Sequence, residues 1–166
     1  MGDRARAVAP ERREMTAPRG EVAIRAAAEG DLDAIHAIEC ASFGDPWAFE
    51  TFRGLLAHPP ARMEVAVGAA GALLGYAVAW FAADEAEIAN IAVAPDARRR
   101  GVGALLLERI LRSAAAFGAR TVFLEVRESN EEARKLYEAR GFEIAGRRKK
   151  YYRQPDEDAL IMRLAL

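Results

Sequence analysis

The chain is poor in the residues that build metal centres and disulfides. Its 166 residues include one cysteine, Cys40, and two histidines. A single cysteine excludes an internal disulfide and a multi-cysteine metal site. Two scattered histidines make no zinc site, so no metal is expected. No apolar run reaches the roughly 18 residues that span a bilayer, so no membrane span is expected. The formal net charge is −1, which argues against a general nucleic-acid binder. The start, Met1 to Pro10, lacks the apolar stretch of a signal peptide. Asp3, Glu11 and Glu14 weaken a transit-peptide reading. The cytoplasm is the expected compartment.

What is present suits one soluble domain with a sizeable core: 52% apolar and 30% charged residues. Residues 1–20 are rich in Ala, Arg and Pro and show no period. They read as a disordered extension ahead of a single domain, 21–166. No internal repeat is visible. Val22–Arg25 reads as a strand. Asp31 is placed to cap a helix whose Leu32, Ile35 and Ile38 recur at helical spacing. A second helix carries Phe52, Leu55 and Leu56. Alternation at Met63, Val65 and Val67 marks a strand, followed by strands at Leu73–Phe81 and Glu87–Val93. A long helix ends at Gly118, with Leu106, Ile110, Ala114 and Phe117 as its apolar stripe. Thr121–Val126 lacks strict alternation and reads as a buried parallel strand. Ser129-Asn130-Glu131-Glu132 reads as a capping box. Strands near Phe142–Ala145 and Ala159–Leu164 close the chain. The order β-α-α-β-β-β-α-β-α-β-β implies an α/β (α+β) domain, a central mixed sheet with helices on both faces.

The segment Ile91–Ala104 holds three arginines and two glycines between a strand and a helix. Gly101 and Gly103 let a ligand approach the backbone. The first amides of the helix, at Val102, Gly103 and Ala104, have no partner of their own, and the helix dipole adds positive charge there. Arg98, Arg99 and Arg100 can bind phosphate oxygens. Such a turn suits a diphosphate. No Gly-Lys-Ser/Thr follows, so it is no Walker loop, and the dinucleotide G-x-G-x-x-G pattern also fails.

Arg98-x-x-Gly101-x-Gly103 resembles the Q/R-x-x-G-x-G/A signature of the GNAT acyltransferase superfamily, which binds acetyl-coenzyme A. Leu124-Glu125-Val126-Arg127-x-Ser129-Asn130-x-x-Ala133-x-x-Leu136-Tyr137-x-x-x-Gly141-Phe142 resembles the GNAT enzymes that acetylate protein N-termini. The nearest likeness is to the bacterial RimI type, which acts on the N-terminal alanine of a small-subunit ribosomal protein. Asn90-Ile91-Ala92-Val93, Pro46-Trp47 and Tyr151-Tyr152 extend the resemblance over about residues 22–166. It implies the GNAT fold, with a mostly antiparallel sheet, and acetyl-CoA as co-substrate. It also implies a protein or peptide N-terminus as partner, with no nucleic acid bound directly and no membrane. As coenzyme contacts it implies the backbone of Ile91, Ala92 and Val93, the turn from Arg98 to Ala104, and Asn130.

Single residues carry two readings each. Glu125 lies in an apolar run, where a carboxylate is costly unless paired or hydrated. It is either the partner of a neighbouring arginine or a general base lining a cleft; the resemblance implies the base. Tyr137 is either a core tyrosine or, by resemblance, the acid beside the coenzyme sulfur. Asn130 caps a helix, contacts the pantetheine arm, or does both. Phe43, Pro46 and Trp47 are either a packed loop or a wall of the peptide site. Tyr151 and Tyr152 grip the substrate backbone in related enzymes. On a regular strand only one of them should face the cleft. Cys40 reads as a small core residue, and Arg147–Lys150 as a solvated charge run. The alternatives are transfer to a small amine or a lysine side chain, which a missing tyrosine pair or a missing Glu125 would favour, and a non-catalytic coenzyme-A module. The presence of both Glu125 and Tyr137 counts against the module.

Overall fold

One seven-stranded sheet runs through the computed structural model, which describes residues 21–166. The extension read at 1–20 lies outside the described residues. In chain order the elements are β1 (Ala23–Ala26), α1 (Leu32–Ser42), α2 (Phe49–Leu56), β2 (Ala61–Val67), β3 (Leu73–Ala82) and β4 (Glu85–Val93). Then come α3 (Val102–Phe117), β5 (Thr121–Arg127), α4 (Glu131–Glu138), β6 (Glu143–Tyr152) and β7 (Glu157–Ala165). The sheet order is β1-β2-β3-β4-β5-β7-β6, and only the β4–β5 pair is parallel.

Two cores lie on opposite faces of this sheet. On one face α3 and α4 bury Leu106, Leu107, Ile110 and Tyr137 against Ala77, Ile88, Leu124 and Met162. On the other, α1 and α2 bury Leu32, Ile35, Ile38 and Phe52 against Val65, Tyr76 and Val78. Each fully buried aliphatic side chain contributes about 1.5–3 kcal/mol. The helical spacing in α1 and α3 thus predicts the buried faces. Phe117 is the exception: at 49% exposed it sits at the end of α3, against Phe81, while Leu107 takes the buried place. Gly118 ends α3 with φ 102°, its N–H donating to Ala114 O at 3.2 Å.

Several local expectations need correction. Asp31 does not cap α1. Its carboxylate instead accepts from Ala28 N and from Arg25, folding the turn ahead of the helix. The cap of α4 is Asn130, which accepts from Ala133 N at 3.1 Å, so Ser129 does not start a capping box. β5 alternates strictly: Val122, Leu124 and Val126 are buried, while Phe123, Glu125 and Arg127 face the other way. It is parallel to β4 only and antiparallel to β7, and Phe123 and Glu125 on its second face line an open depression. Cys40 is exposed, not core.

Candidate active site

The site begins where the sheet splits. β4 and β5 pair from Glu85↔Thr121 to Ile88↔Leu124 and no further. Ala89 is an extra residue in β4, since Asn90 pairs with Val78 and Ile88 with Ala79. Such a bulge bends its strand and re-aims the residues beyond it. β5 continues straight along β7. Among the described residues, the backbone of 89–93 therefore has no strand partner on its β5 side. Glu125 is the first residue of β5 past the fork.

A cleft of about 740 Å³ opens there. It is walled by the α1–α2 loop (Phe43, Asp45, Trp47), by β4 (Glu87 to Ile91), by β5 (Leu124 to Arg127), by α4 (Asn130, Ala133, Tyr137) and by Tyr151, Tyr152 and Arg153. A shallower depression of about 280 Å³ continues past Glu125 and shares Trp80, Glu87 and Leu124. Of the residues expected from sequence, Phe43, Trp47, Ile91, Glu125, Asn130, Tyr137, Tyr151 and Tyr152 line the cleft. Pro46 is exposed and does not line it.

Glu125 is both an ion-pair partner and a cleft residue. Its Oε1 lies 2.7 Å from Arg148 Nε, and its side chain is 17% exposed. Part of the Arg147–Lys150 run is thus engaged rather than solvated: Arg147 also pairs with Glu128 and Asp158. The Tyr151 phenol is held above its ordinary value, chiefly by hydrogen bonding to the Glu125 carboxylate and then by partial burial.

The expectation that one tyrosine turns away is wrong. Lys150 has φ 51°, in the left-handed region, and the β6–β7 pairing is irregular between Arg148 and Tyr152. The break in alternation leaves Tyr151 and Tyr152 on the same cleft, with ring centroids 5.1 Å apart. Arg127 stacks over the Tyr152 ring at 4.4 Å and pairs with Glu157, beside the turn of the β6–β7 hairpin.

Tyr137 projects from α4 with its ring buried against Phe142. Burial pushes its phenol up to about 12. The group therefore stays protonated at working pH and can act as a donor.

The Arg98–Ala104 turn does not line this cleft but abuts it. A Cβ on Gly103 would lie 3.5 Å from Leu136 of α4 and 3.7 Å from Val93 of β4. Gly101 takes φ 80° at the start of α3. The first helix-closing bond runs from Leu105 N to Gly101 O, so the amides of Val102, Gly103 and Ala104 point out of the helix end. Arg98 is tied to its neighbours: Nε donates to Val93 O and an Nη to Ser42 Oγ, both at 3.1 Å. It braces the turn, although it is exposed, as Arg99 and Arg100 are. Ala92 is buried on the α1 side.

Glu39 was not anticipated. It is 1% exposed and accepts hydrogen bonds from Trp47 N, Asn90 Nδ2 and the Tyr76 hydroxyl. Its signal is a carboxylate one turn after Ile35, within the apolar stripe of α1. Glu87 and Trp80 read locally as ordinary strand residues and Arg148 as part of a solvated charge run, so none of them marks the site in the sequence.

Comparison with known proteins agrees with this geometry. The sequence pattern of the Acetyltransferase (GNAT) family matches residues 32–142. The [Ribosomal protein bS18]-alanine N-acetyltransferase of Salmonella typhimurium is 38% identical over 138 residues, covering 82% of this chain and 92% of that protein. The enzyme of that name from Escherichia coli K12 is 37% identical over the same length. The crystal structure of the Escherichia coli ribosomal-protein-S18-alanine N-acetyltransferase superposes with a TM-score of 0.80 at 35% identity, over 87% of this chain and 94% of that one. Ard1 from Thermoplasma volcanium gives 0.80 at 27% identity, over 87% and 97%. A forked sheet, a glycine-arginine turn at a helix start and these likenesses agree: the chain belongs to the GNAT acetyltransferase family.

Proposed function

We propose that this chain transfers acetyl from acetyl-CoA to the N-terminal amine of a protein, and that its substrate is the N-terminal alanine of ribosomal protein bS18. The observation that carries the reading is the pairing of Glu125 and Tyr137 on two walls of one cleft. The names of relatives covering four-fifths of the chain support the substrate.

Acetyl-CoA supplies the activated acetyl group. The exposed Arg99 and Arg100, with the free amides of 102–104, suit its diphosphate. The unpaired edge of β4 at residues 91–93 and Asn130 suit the arm that leads from it into the fork. The peptide enters between the Trp47 loop and the tyrosine pair. An α-amine has an ordinary pKa of about 8, so freeing it near neutrality needs only a modest base. Glu125 accepts that proton, directly or through water. An amide of 91–93 steadies the negative charge that develops on the carbonyl oxygen. Tyr137 gives a proton to the departing sulfur. Most of the acceleration comes from holding amine and carbonyl together.

The test is acetyl transfer to peptides that differ only in their first residue. Alanine should be accepted. Transfer confined to polyamines or lysine side chains would favour the alternative GNAT reading.

A further inference from the structure

Glu39 is a buried carboxylate that the proposed chemistry does not use. At 1% exposed it would be strongly disfavoured unless both oxygens were satisfied. Both are. Oε1 accepts from Trp47 N at 2.8 Å. Oε2 accepts from Asn90 Nδ2 at 2.9 Å and from the Tyr76 hydroxyl. Burial and Glu39 together push the Tyr76 phenol far up, so it remains a donor. No ion pair reaches Glu39 among the described residues; neutral donors do all the work.

These donors come from three separate elements. Trp47 belongs to the loop that walls the cleft, Tyr76 to β3 and Asn90 to β4. The place of Asn90 depends on the bulge. Before it, Ala86 and Ile88 face α3; after it, Ile91 and Val93 pack on that core. The extra Ala89 thus shifts the alternation by one and turns Asn90 toward α1. Without the bulge, Asn90 would share the face of Ile88. One carboxylate therefore joins the bulged strand at the fork to the loop across the cleft.

We propose that Glu39 is a positioning residue that locks the Trp47 wall to the Asn90 bulge, so that the groove for the peptide and the strand edge for the thioester keep one spacing. The inference rests on the reading that this cleft receives both substrates. Sub-ångström placement matters there, since a shift of about 1 Å can lower a rate by about 100-fold.

Glu39→Gln turns one acceptor oxygen into a donor, so one side of the clamp loses its bond. Its kcat/KM on an alanine-first peptide should fall by about 10-fold or more, through both a higher peptide KM and a lower kcat. Acetyl-CoA binding by calorimetry should stay at the wild-type level. Tyr76→Phe loses a donor to Oε2 alone. It should lower kcat and leave the peptide KM unchanged, and it serves if Glu39→Gln does not fold. Hydrogen exchange gives a readout free of turnover: amides in 43–48 and 89–91 should lose protection together in Glu39→Gln. If the wild type acetylates no peptide but this joint loss is seen, the proposed substrate is wrong and the clamp stands. A lower melting temperature with unchanged kcat/KM, or with exchange altered in only one of the two segments, overturns the proposal. Wild-type kcat in Tyr76→Phe does so too.

Discussion

Tyr151 and Tyr152 are neighbours in sequence, yet their rings meet nearly edge to face, with centroids 5.1 Å apart and both on the cleft. Lys150 makes this possible by taking φ 51°. Lys150→Gly should be tolerated, because glycine enters the left-handed region freely. Lys150→Val should be about 1–2 kcal/mol less stable than Lys150→Gly in urea melts and should raise the peptide KM. Equal stability of the two variants would show that the left-handed residue is dispensable.

Glu125 can be a base or merely the partner of Arg148, 2.7 Å away. Glu125→Gln and Arg148→Met separate these roles. As one half of an ion pair with a half-exposed partner, Glu125 should add less than about 1 kcal/mol to stability. As a base, it should matter far more to turnover than Arg148 does. Glu125→Gln should slow transfer at neutral pH and recover partly toward pH ~8, where free amine appears unaided. Equal kinetic losses in the two variants would reduce Glu125 to a structural role.

Tyr137→Phe should lower kcat without any such recovery. Burial holds the phenol at about 12, so the wild type keeps its proton across the working range. Loss of one hydroxyl should change stability by about 1 kcal/mol or less. A pH–rate profile that recovers in alkali would remove Tyr137 as the acid.

The arginines of the turn should divide by what they bond. Arg99→Ala and Arg100→Ala should weaken acetyl-CoA binding, increasingly so at low salt. Arg98→Ala should chiefly lower the melting temperature, because its guanidinium braces Val93 O and Ser42 Oγ. Gly101→Val forces a β-branched residue into φ 80° and should impair binding by disturbing the helix start. Equal losses of affinity in all three arginine variants would contradict the bracing role of Arg98.

Stability in acid should depend on Asp31. Hydrogen bonds from Arg25, at 2.7 and 2.9 Å, hold its carboxyl below the ordinary range. The stabilisation is full above the unfolded value of about 3.9 and is lost as pH falls through the lower folded value. Asp31→Asn should remove part of the acid limb of a melting curve. An unchanged limb would show the pair to be inert.

The features legible in the sequence were those set by neighbours along the chain. The spacing of Leu32, Ile35 and Ile38, the left-handed Gly118 and the glycines of the turn each answer to local rules. The motif resemblance added Glu125, Tyr137 and Trp47, all of which line the cleft. What escaped was decided at long range. Glu39 finds its donors 8, 37 and 51 residues away. Arg148 meets Glu125 across the sheet, and the bulge at Ala89 leaves no mark in a run of small and apolar residues. Asp31 misled because Arg25 and Ala28 N hold its carboxylate, and Ser129 because the adjacent Asn130 takes the cap.

The most direct test offers the protein acetyl-CoA and one peptide that begins with alanine and carries an internal lysine, with the acetyl group located by mass spectrometry. A twin peptide with a blocked N-terminus serves as control. Acetyl is expected on the alanine α-amine of the free peptide and none on the twin, with a sharp drop in Glu125→Gln. Acetylated lysine in both peptides, or no transfer to either, would contradict that expectation.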